Sequence, residues 1–282
     1  MDLSVVIVSF NTKEKLRECL RSVFGSVTKY SFEVLVVDNN SRDGSAGAVA
    51  AEFPNMKLIR NSDNVGYSKA NNQALRLAQG SFFLLLNSDV EVAPDSFDKM
   101  ISYMDNEKAV GIVGCRVIKS DGSFDKAARR SFPDLANSLR HFLGLSSDYN
   151  LDLPEDKIAE VDSVMGAFLM IRREVVDKIG LLDEAFFMYG EDLDWCFRAK
   201  QAGYKVVYNP ATTVVHHKGS SSRKLPKKAL YEFHRAMFIF YDKHYAPLHG
   251  PIVNYLVKLG IWGRYHLKVF QNLFRKDKYV SK

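Results

Sequence analysis

The residues able to do chemistry are gathered into short clusters that close apolar runs. Such runs end in Ser9-Phe10-Asn11, in Asp38-Asn39-Asn40, in the stretch from Asn61 to Gly66, and in Asn87-Ser88-Asp89. Further along stand Gly190-Glu191-Asp192-Leu193-Asp194-Trp195 and the pair His216-His217. Carboxylates and carboxamides so placed can accept the N–H of a heterocycle, hold a hard cation through oxygen, or take a proton from a hydroxyl. The chain has no GxxxxGK[ST] loop, no GxGxxG after its first apolar run and no GxSxG elbow. A ligand must therefore be held by side chains or by a metal.

Alternating strand and helix signals position these clusters. Leu3 to Phe10 is a β-branched apolar run of the kind buried on both faces of a parallel sheet. Asn11-Thr12 can cap a helix with Leu16, Cys19, Leu20 and Val23 on one face. Strands are predicted at Glu33–Asp38, Lys57–Arg60 and Ser81–Leu86, with a helix over Tyr67–Gln79 that Asn64 is placed to cap. Repeated βα units imply an α/β fold with a mostly parallel, doubly wound sheet, whose ligands sit beyond the carboxyl ends of the strands. That is where the polar clusters fall. A helix opened by Pro94 (Asp95–Asn106) and a strand near Val110–Ile118 come next. Residues 119–160, with Lys126, Arg129, Arg130 and Arg140, read as a surface excursion. Order resumes with the run Val164–Ile171, a helix through about Ala202, and strands at Lys205–Tyr208 and Thr212–His216.

At 46% hydrophobic and 26% charged, the 282 residues have a globular composition, enough for one large domain or two small ones. Three scattered cysteines without a CxxC pair argue against a disulfide framework or a structural zinc site, and for a reducing compartment. No apolar run approaches the length of a membrane span, and Met1-Asp2-Leu3-Ser4 does not open a signal peptide, so a cytoplasmic location is expected. The excess of +6 is unevenly placed: residues 1–215 hold 25 basic and 30 acidic side chains, residues 216–282 hold 14 and 3. A basic tail points to an anionic partner, a membrane surface or nucleic acid. The tail carries no RRM, zinc-finger or helix-turn-helix signature, which sets nucleic acid aside.

Seven blocks standing in order carry a family resemblance. They are Val5–Asn11, Val36–Ser41, Asn64–Asn72, Leu85–Val90, Gly166–Phe168, Tyr189–Cys196 and Val214–His216. Together they resemble the inverting glycosyltransferases of family 2, which have the GT-A fold, and within them the bacterial rhamnosyltransferases that use dTDP-L-rhamnose. The resemblance covers roughly residues 1–220 as a GT-A domain and leaves 221–282 as a basic helical extension.

The resemblance implies a role for each cluster. Asp38 would accept the N3–H of thymine or uracil, which share that edge; capping of its own turn is the alternative. Ser9, Phe10 and Asn11 would line the base pocket, or merely end a strand and cap a helix. Asn40, Asn64, Gly66 and Asn71 would lie around the nucleotide-sugar, the glycine turn and helix start facing it. Asn87-Ser88-Asp89 occupies the place of the DxD motif that brings Mg²⁺ or Mn²⁺ to the diphosphate. With Asn87 in place of the first acid, Asp89 is left as the metal carboxylate. His216 would be the second ligand, in preference to His217, which would point to the opposite side of the strand. Asp192 of the family's ED motif would be the base that deprotonates the acceptor hydroxyl, and Glu191 would orient the acceptor or a loop. The two side chains leave a helix about 100° apart, so only one should meet the acceptor oxygen. Asp194 stands four residues before Arg198 and reads as a helical ion pair. Gly166-Ala167-Phe168 would let an acceptor sugar approach the backbone, or form a packed core strand.

The tail has its own readings. The segment from Lys218 to Lys228 would close over the diphosphate or remain solvated. A helix is predicted from Ala229 to Tyr245. Beyond it Ile252, Val253, Tyr255, Leu256, Leu259, Ile261 and Trp262 alternate with Lys258, Arg264 and Lys268 as in an interfacial amphipathic segment; a helix packed on the body or on another subunit competes with this. The expected function is transfer of a sugar, L-rhamnose from dTDP-L-rhamnose, to a saccharide or polyprenyl-diphosphate-linked acceptor in cell-envelope polysaccharide synthesis. A UDP-sugar-dependent enzyme of the same family, or a non-catalytic nucleotide-sugar-binding or membrane scaffold protein, are the alternatives, and homo-oligomerisation stays open.

Overall fold

Every residue of β1 (Leu3–Ser9) is buried, as a β-branched run between two parallel neighbours must be. The computed structural model describes residues 1–133, 151–217 and 226–274. Helix α1 (Lys13–Phe24) returns the chain to β2 (Phe32–Asp38), α2 (Ser45–Glu52) to β3 (Lys57–Arg60), and α3 (Tyr67–Leu75) to β4 (Phe82–Asn87). These four strands lie side by side in the order β3-β2-β1-β4, all parallel. The buried face of α1 is Leu16, Cys19, Leu20 and Val23, as the spacing predicts.

The second half is built differently. After β5 (Val90–Val92), α4 (Ser96–Asn106), β6 (Val110–Lys119) and β7 (Arg129–Arg130) come β8 (Ala159–Glu160), β9 (Ser163–Val164) and β10 (Phe168–Arg172). Then α5 (Arg173–Ile179) and α6 (Glu191–Gln201) lead to β11 (Lys205–His216), α7 (Pro226–His244) and α8 (Pro251–Leu273). The sheet continues β4-β10-β6-β11-β5, with β8 on β11, and β7 and β9 form a separate ribbon. Strand β10 is antiparallel to both neighbours, and four of the eight pairings in the main sheet are parallel. The mostly parallel expectation thus holds for the first half only. The chain enters β10 beside the carboxyl end of β4 with no preceding helix to carry it back, so it must run the other way.

Other boundaries shift for local reasons. Helix α3 stops at Leu75, short of Gln79, because the N–H groups of Leu77 and Ala78 turn to carbonyls three residues back. The two late strands are one, β11, with a register shift between Asn209 and Thr213 beside Pro210, which has no N–H to donate. Cys19, Cys115 and Cys196 are free and buried. Most of the described excursion is exposed, as expected, but the stretch that ends it before the undescribed residues is not: Arg129 is buried, and Arg130 turns inward to Asp192. Arg140 and the segment Lys218–Arg223 lie outside the described residues.

Candidate active site

The ends of β1 and β2 are held by two asparagines in the left-handed region, Asn11 (φ 54°) and Asn40 (φ 66°), a conformation Asn tolerates better than most. Asn11 donates its N–H to Ser41 Oγ at 2.9 Å, and its Oδ1 accepts the Arg42 N–H at 2.7 Å. Asp38, buried, accepts the Ser41 N–H at 3.1 Å and so caps its own turn. Asn39 is a residue the spacing gave no sign of. Its Nδ2 donates to Asn64 Oδ1 (2.9 Å) and its Oδ1 accepts the Val65 N–H (3.0 Å), fixing the loop that leads into α3.

That loop ends at Gly66, not Asn64. Asn64 Oδ1 accepts the Gly66 N–H at 3.1 Å, and Gly66 itself precedes the helix at φ 90°. A Cβ there would meet the Phe187 carbonyl oxygen at 2.7 Å, and the same oxygen accepts the Tyr67 N–H at 2.6 Å. Only glycine fits. Asn71 is fully buried, its Nδ2 donating to the Tyr67 carbonyl at 2.9 Å and its Oδ1 left without a partner.

Three hydroxyls, Ser9, Thr12 and Ser88, form a chain with 3.0 Å steps, tying the end of β1 to the residue after β4. Thr12 precedes α1, but its hydroxyl serves this chain and does not cap the helix. Phe10 is half-buried beside it. Asn87 Oδ1 accepts the Tyr67 hydroxyl at 2.9 Å, and that hydroxyl also lies 3.4 Å from the Gly166 carbonyl oxygen. Tyr67 is thereby the link between the end of β4 and the loop ahead of β10.

Asp89, in the turn between β4 and β5, meets His216 at the end of β11, Oδ1 to Nε2 at 3.2 Å. His216 Nδ1 is buried with no partner. A carboxylate oxygen beside an imidazole nitrogen fits a divalent cation that takes mixed oxygen and nitrogen ligands, with further positions left for diphosphate oxygens and water. His217 faces the other way, hydrogen-bonded to Glu91 (2.5 Å) and Ser120 (2.8 Å). Glu18, Glu91 and His217 form a second group whose ligand atoms lie within 4.8 Å of one another, with His217 hydrogen-bonded to Glu91 and Glu18 paired with Lys15.

Helix α6 is launched by two successive left-handed residues, Tyr189 (φ 68°) and Gly190 (φ 80°). For a tyrosine this backbone is strained by about 1–3 kcal/mol, the kind of cost found where a site fixes geometry. Glu191, Asp192 and Asp194 fill the first turn, where the helix dipole favours them. Asp192 Oδ2 accepts the Gly166 N–H and Arg130 Nη2, both at 2.8 Å. Arg130 Nη2 also donates to Ser163 Oγ (2.9 Å) and the Val164 carbonyl (2.8 Å), so the β7–β9 ribbon anchors it. The smallness of Gly166 serves Asp192 itself: a Cβ would lie 3.3 Å from the Asp192 Cβ. Burial and the adjoining Asp192 charge push Glu191 up to about 8, and its Oε2 has no partner. Burial raises the Tyr67 hydroxyl too, reinforced by the charges of Glu191, Asp192 and Asp89 around it.

Asp194 is fully buried and accepts from Arg198 (2.8 Å), as its spacing predicts, and from Lys243 (2.8 Å) and His244 (2.7 Å) of α7. Burial opposes its charge, but His244, Arg198 and Lys243 outweigh this and hold it at about 2. Phe186, Ala236 and Phe240 form an apolar cluster alongside. Asp194 therefore docks the tail onto the helix that carries Asp192.

Polar strand ends, a carboxylate–histidine pair and a carboxylate at a strained helix start are what a transferase acting on a nucleotide-sugar would need. Residues 4–180 match the family model described as glycosyl transferase family 2, and the chain belongs to that family. It is 28% identical, over 97% of its length and 94% of the relative's, to N-acetylglucosaminyl-diphospho-decaprenol L-rhamnosyltransferase of Mycobacterium tuberculosis. Rhamnosyltransferase WbbL of Escherichia coli is 23% identical over 80% of this chain and 87% of its own. Among solved structures, TarS 1-349 of S. aureus superposes with a TM-score of 0.61 at 17% identity, covering 97% of this chain and 74% of that one. The mannosyltransferase PcManGT of Pyrobaculum calidifontis, in complex with GDP-Man and Mn²⁺, also gives 0.61, at 20% identity over 94% and 70%. The fold is GT-A and the protein is a glycosyltransferase.

Proposed function

We propose that the protein transfers L-rhamnose from dTDP-L-rhamnose, with inversion, to a saccharide carried on a polyprenyl diphosphate during cell-envelope polysaccharide synthesis. The near full-length similarity to a rhamnosyltransferase named for a GlcNAc-diphospho-decaprenol acceptor supports the sugar and the acceptor class. The observation that carries the chemistry is the convergence on one tyrosine: the Tyr67 hydroxyl contacts Asn87 of the metal motif and Gly166, whose N–H holds Asp192.

In this reading residues 1–220 are the catalytic domain and 221–282 an appended helical segment. Ser9, Phe10, Asn11 and Asp38 receive the base, and Asn40, Asn64, Gly66, Asn87 and Ser88 surround the rest of the donor. Asp192 takes the proton of an acceptor hydroxyl while that oxygen attacks the anomeric carbon. The bond from that carbon to the nucleoside diphosphate breaks, and its electron pair leaves with the diphosphate. Held by Asp89 and His216, Mg²⁺ or Mn²⁺ would supply positive charge against the departing diphosphate. Glu191, proton-bearing near neutrality, lies beside the acceptor position and orients it. Among the described residues no helix is long and apolar enough to cross a membrane, and a lipid-linked acceptor calls for peripheral association at the inner face of the membrane.

A donor screen with purified protein tests the reading, with released nucleoside diphosphate as the readout. Release from dTDP-L-rhamnose and not from UDP-sugars is expected. Release only from a UDP-sugar would replace the donor, and no thermal stabilisation by dTDP or UDP, with or without Mn²⁺, would sink the transferase reading.

A further inference from the structure

Helix α8 has two apolar faces, and the described residues cover only one. Ile261, Trp262 and Tyr265 look toward α7, where the Trp262 ring lies 5.8 Å from Tyr231 and 6.2 Å from Phe238. Asn254 Oδ1 accepts the Tyr241 hydroxyl at 2.7 Å, and Lys258 pairs with Asp242 at 2.5 Å, closing the joint between the two helices. On the other side stand Ile252, Tyr255, Leu256, Leu259, Leu267, Phe270, Leu273 and Phe274, each more than half exposed. At 3.6 residues per turn these positions share an arc of roughly 120°, with Gly263 filling the gap between Leu259 and Leu267. A stripe this long and this apolar is not left facing water without a partner.

The charge says which partner. Helix α8 carries Lys258, Arg264 and Lys268 and no acidic residue, and residues 245–282 hold 7 basic side chains against 1 acidic. A second copy laid on this face would bring the same excess of cations, only partly met by carboxylates such as the Asp242 that Lys258 already holds. An anionic lipid surface supplies both the apolar layer and the negative charge. We propose that the exposed face of α8 is a docking face for the anionic leaflet of a membrane, into which the helix lies flat. The inference rests on the lipid-linked acceptor reading and gives it a place on the molecule.

Helix α7 links this face to the site. Near its start Lys228 sits 3.9 Å over the ring of Phe187, the residue packed against Gly66. Near its end Lys243 and His244 hold Asp194 of the catalytic helix. The docked helix is thus joined to the catalytic cleft through one rigid element, and lipid docking fixes the height of that cleft above the surface.

The test is flotation of the full-length protein with vesicles of phosphatidylcholine containing 30 mol% phosphatidylglycerol, about one lipid in three being anionic. Wild type is expected to float with these and not with pure phosphatidylcholine vesicles. The triple variant Leu256→Asp, Leu259→Asp and Phe270→Asp should lose at least ten-fold in bound fraction. All three positions are exposed, and an unchanged melting temperature with an unchanged dTDP-dependent shift verifies the fold. The charge reversal Arg264→Glu with Lys268→Glu leaves the stripe intact and should also abolish anionic flotation. No flotation of wild type, or undiminished flotation of the triple variant, overturns the proposal. So does a wild-type dimer in light scattering that the triple variant converts to monomer, which would make the face a contact between copies. Failure of the transferase reading would appear separately, as absence of any nucleotide-dependent shift.

Discussion

Arg130 and Asp192 form an ion pair with Nη2 to Oδ2 at 2.8 Å, although 62 residues separate them and one was read as part of a surface excursion. The same Asp192 oxygen takes the Gly166 N–H, so the orientation of the carboxylate is fixed from two sides. Its other oxygen, Oδ1, accepts the N–H of Leu193 at 2.8 Å. Arg130→Met should therefore lower kcat by about 10²-fold with little change in nucleotide affinity, because the base is misaligned while the donor pocket is untouched. Arg130→Lys should recover part of the loss. Steady-state kinetics beside nucleotide titration of each variant checks this, and equal losses in both parameters would contradict it.

Asp192→Asn removes the base and leaves a side chain of the same shape. Transfer should fall by about 10²- to 10⁴-fold while the dTDP-dependent thermal shift persists. Retained turnover would refute the assignment.

Glu191 is pushed up to about 8, so it keeps its proton in the folded protein where an unfolded glutamate has lost it. Its contribution to stability is full below about pH 4.3, the ordinary glutamate value, and declines as pH rises toward 8. Glu191→Gln should be free of that decline, and its melting temperature should gain on wild type between pH 5 and 8, an interval spanning roughly those two values. At pH near 7 the variant should keep most of its transfer activity, since an amide resembles the neutral acid. The groups that face Glu191 are Asp192 and Asp194 on its own helix, Arg130 on β7 and Tyr67 on α3. Parallel melting curves for the two proteins would expose a normal glutamate.

Asp89→Asn and His216→Ala should each weaken the extra thermal stabilisation that Mn²⁺ adds to bound nucleotide, while His217→Ala should not, since His217 is turned toward Glu91 and Ser120. Calorimetric titration of Mn²⁺ with dTDP present reads the difference. Equal losses at both histidines would return the ligand assignment to an open choice.

Much of this arrangement was legible in the sequence, and the reasons are local. Strand ends closing in Asn or Asp, the i,i+4 pair of Asp194 and Arg198, and the alternation that separates His216 from His217 follow from periodicity and side-chain chemistry within a few residues. What stayed hidden depends on distant chain. Arg130 looked like one of several loop cations, and only the pairing of β7 with β9 turns it toward Asp192. Asn39 looked like turn polarity until the loop 61–66 folded over it. The cap at Gly66 could not be told from one at Asn64, because Phe187 decides it from more than 100 residues away. The antiparallel β10 was hidden for the same reason: apolar runs do not declare their direction.

Asp194 has a further meaning during synthesis. Two of its three partners, Lys243 and His244, leave the ribosome about 50 residues after it. Until they arrive, a carboxylate destined for complete burial has only Arg198 of the three. The helix that carries Asp192 gains its full set of partners only once α7 has been made. A chain interrupted before α7 would thus leave that helix incompletely docked.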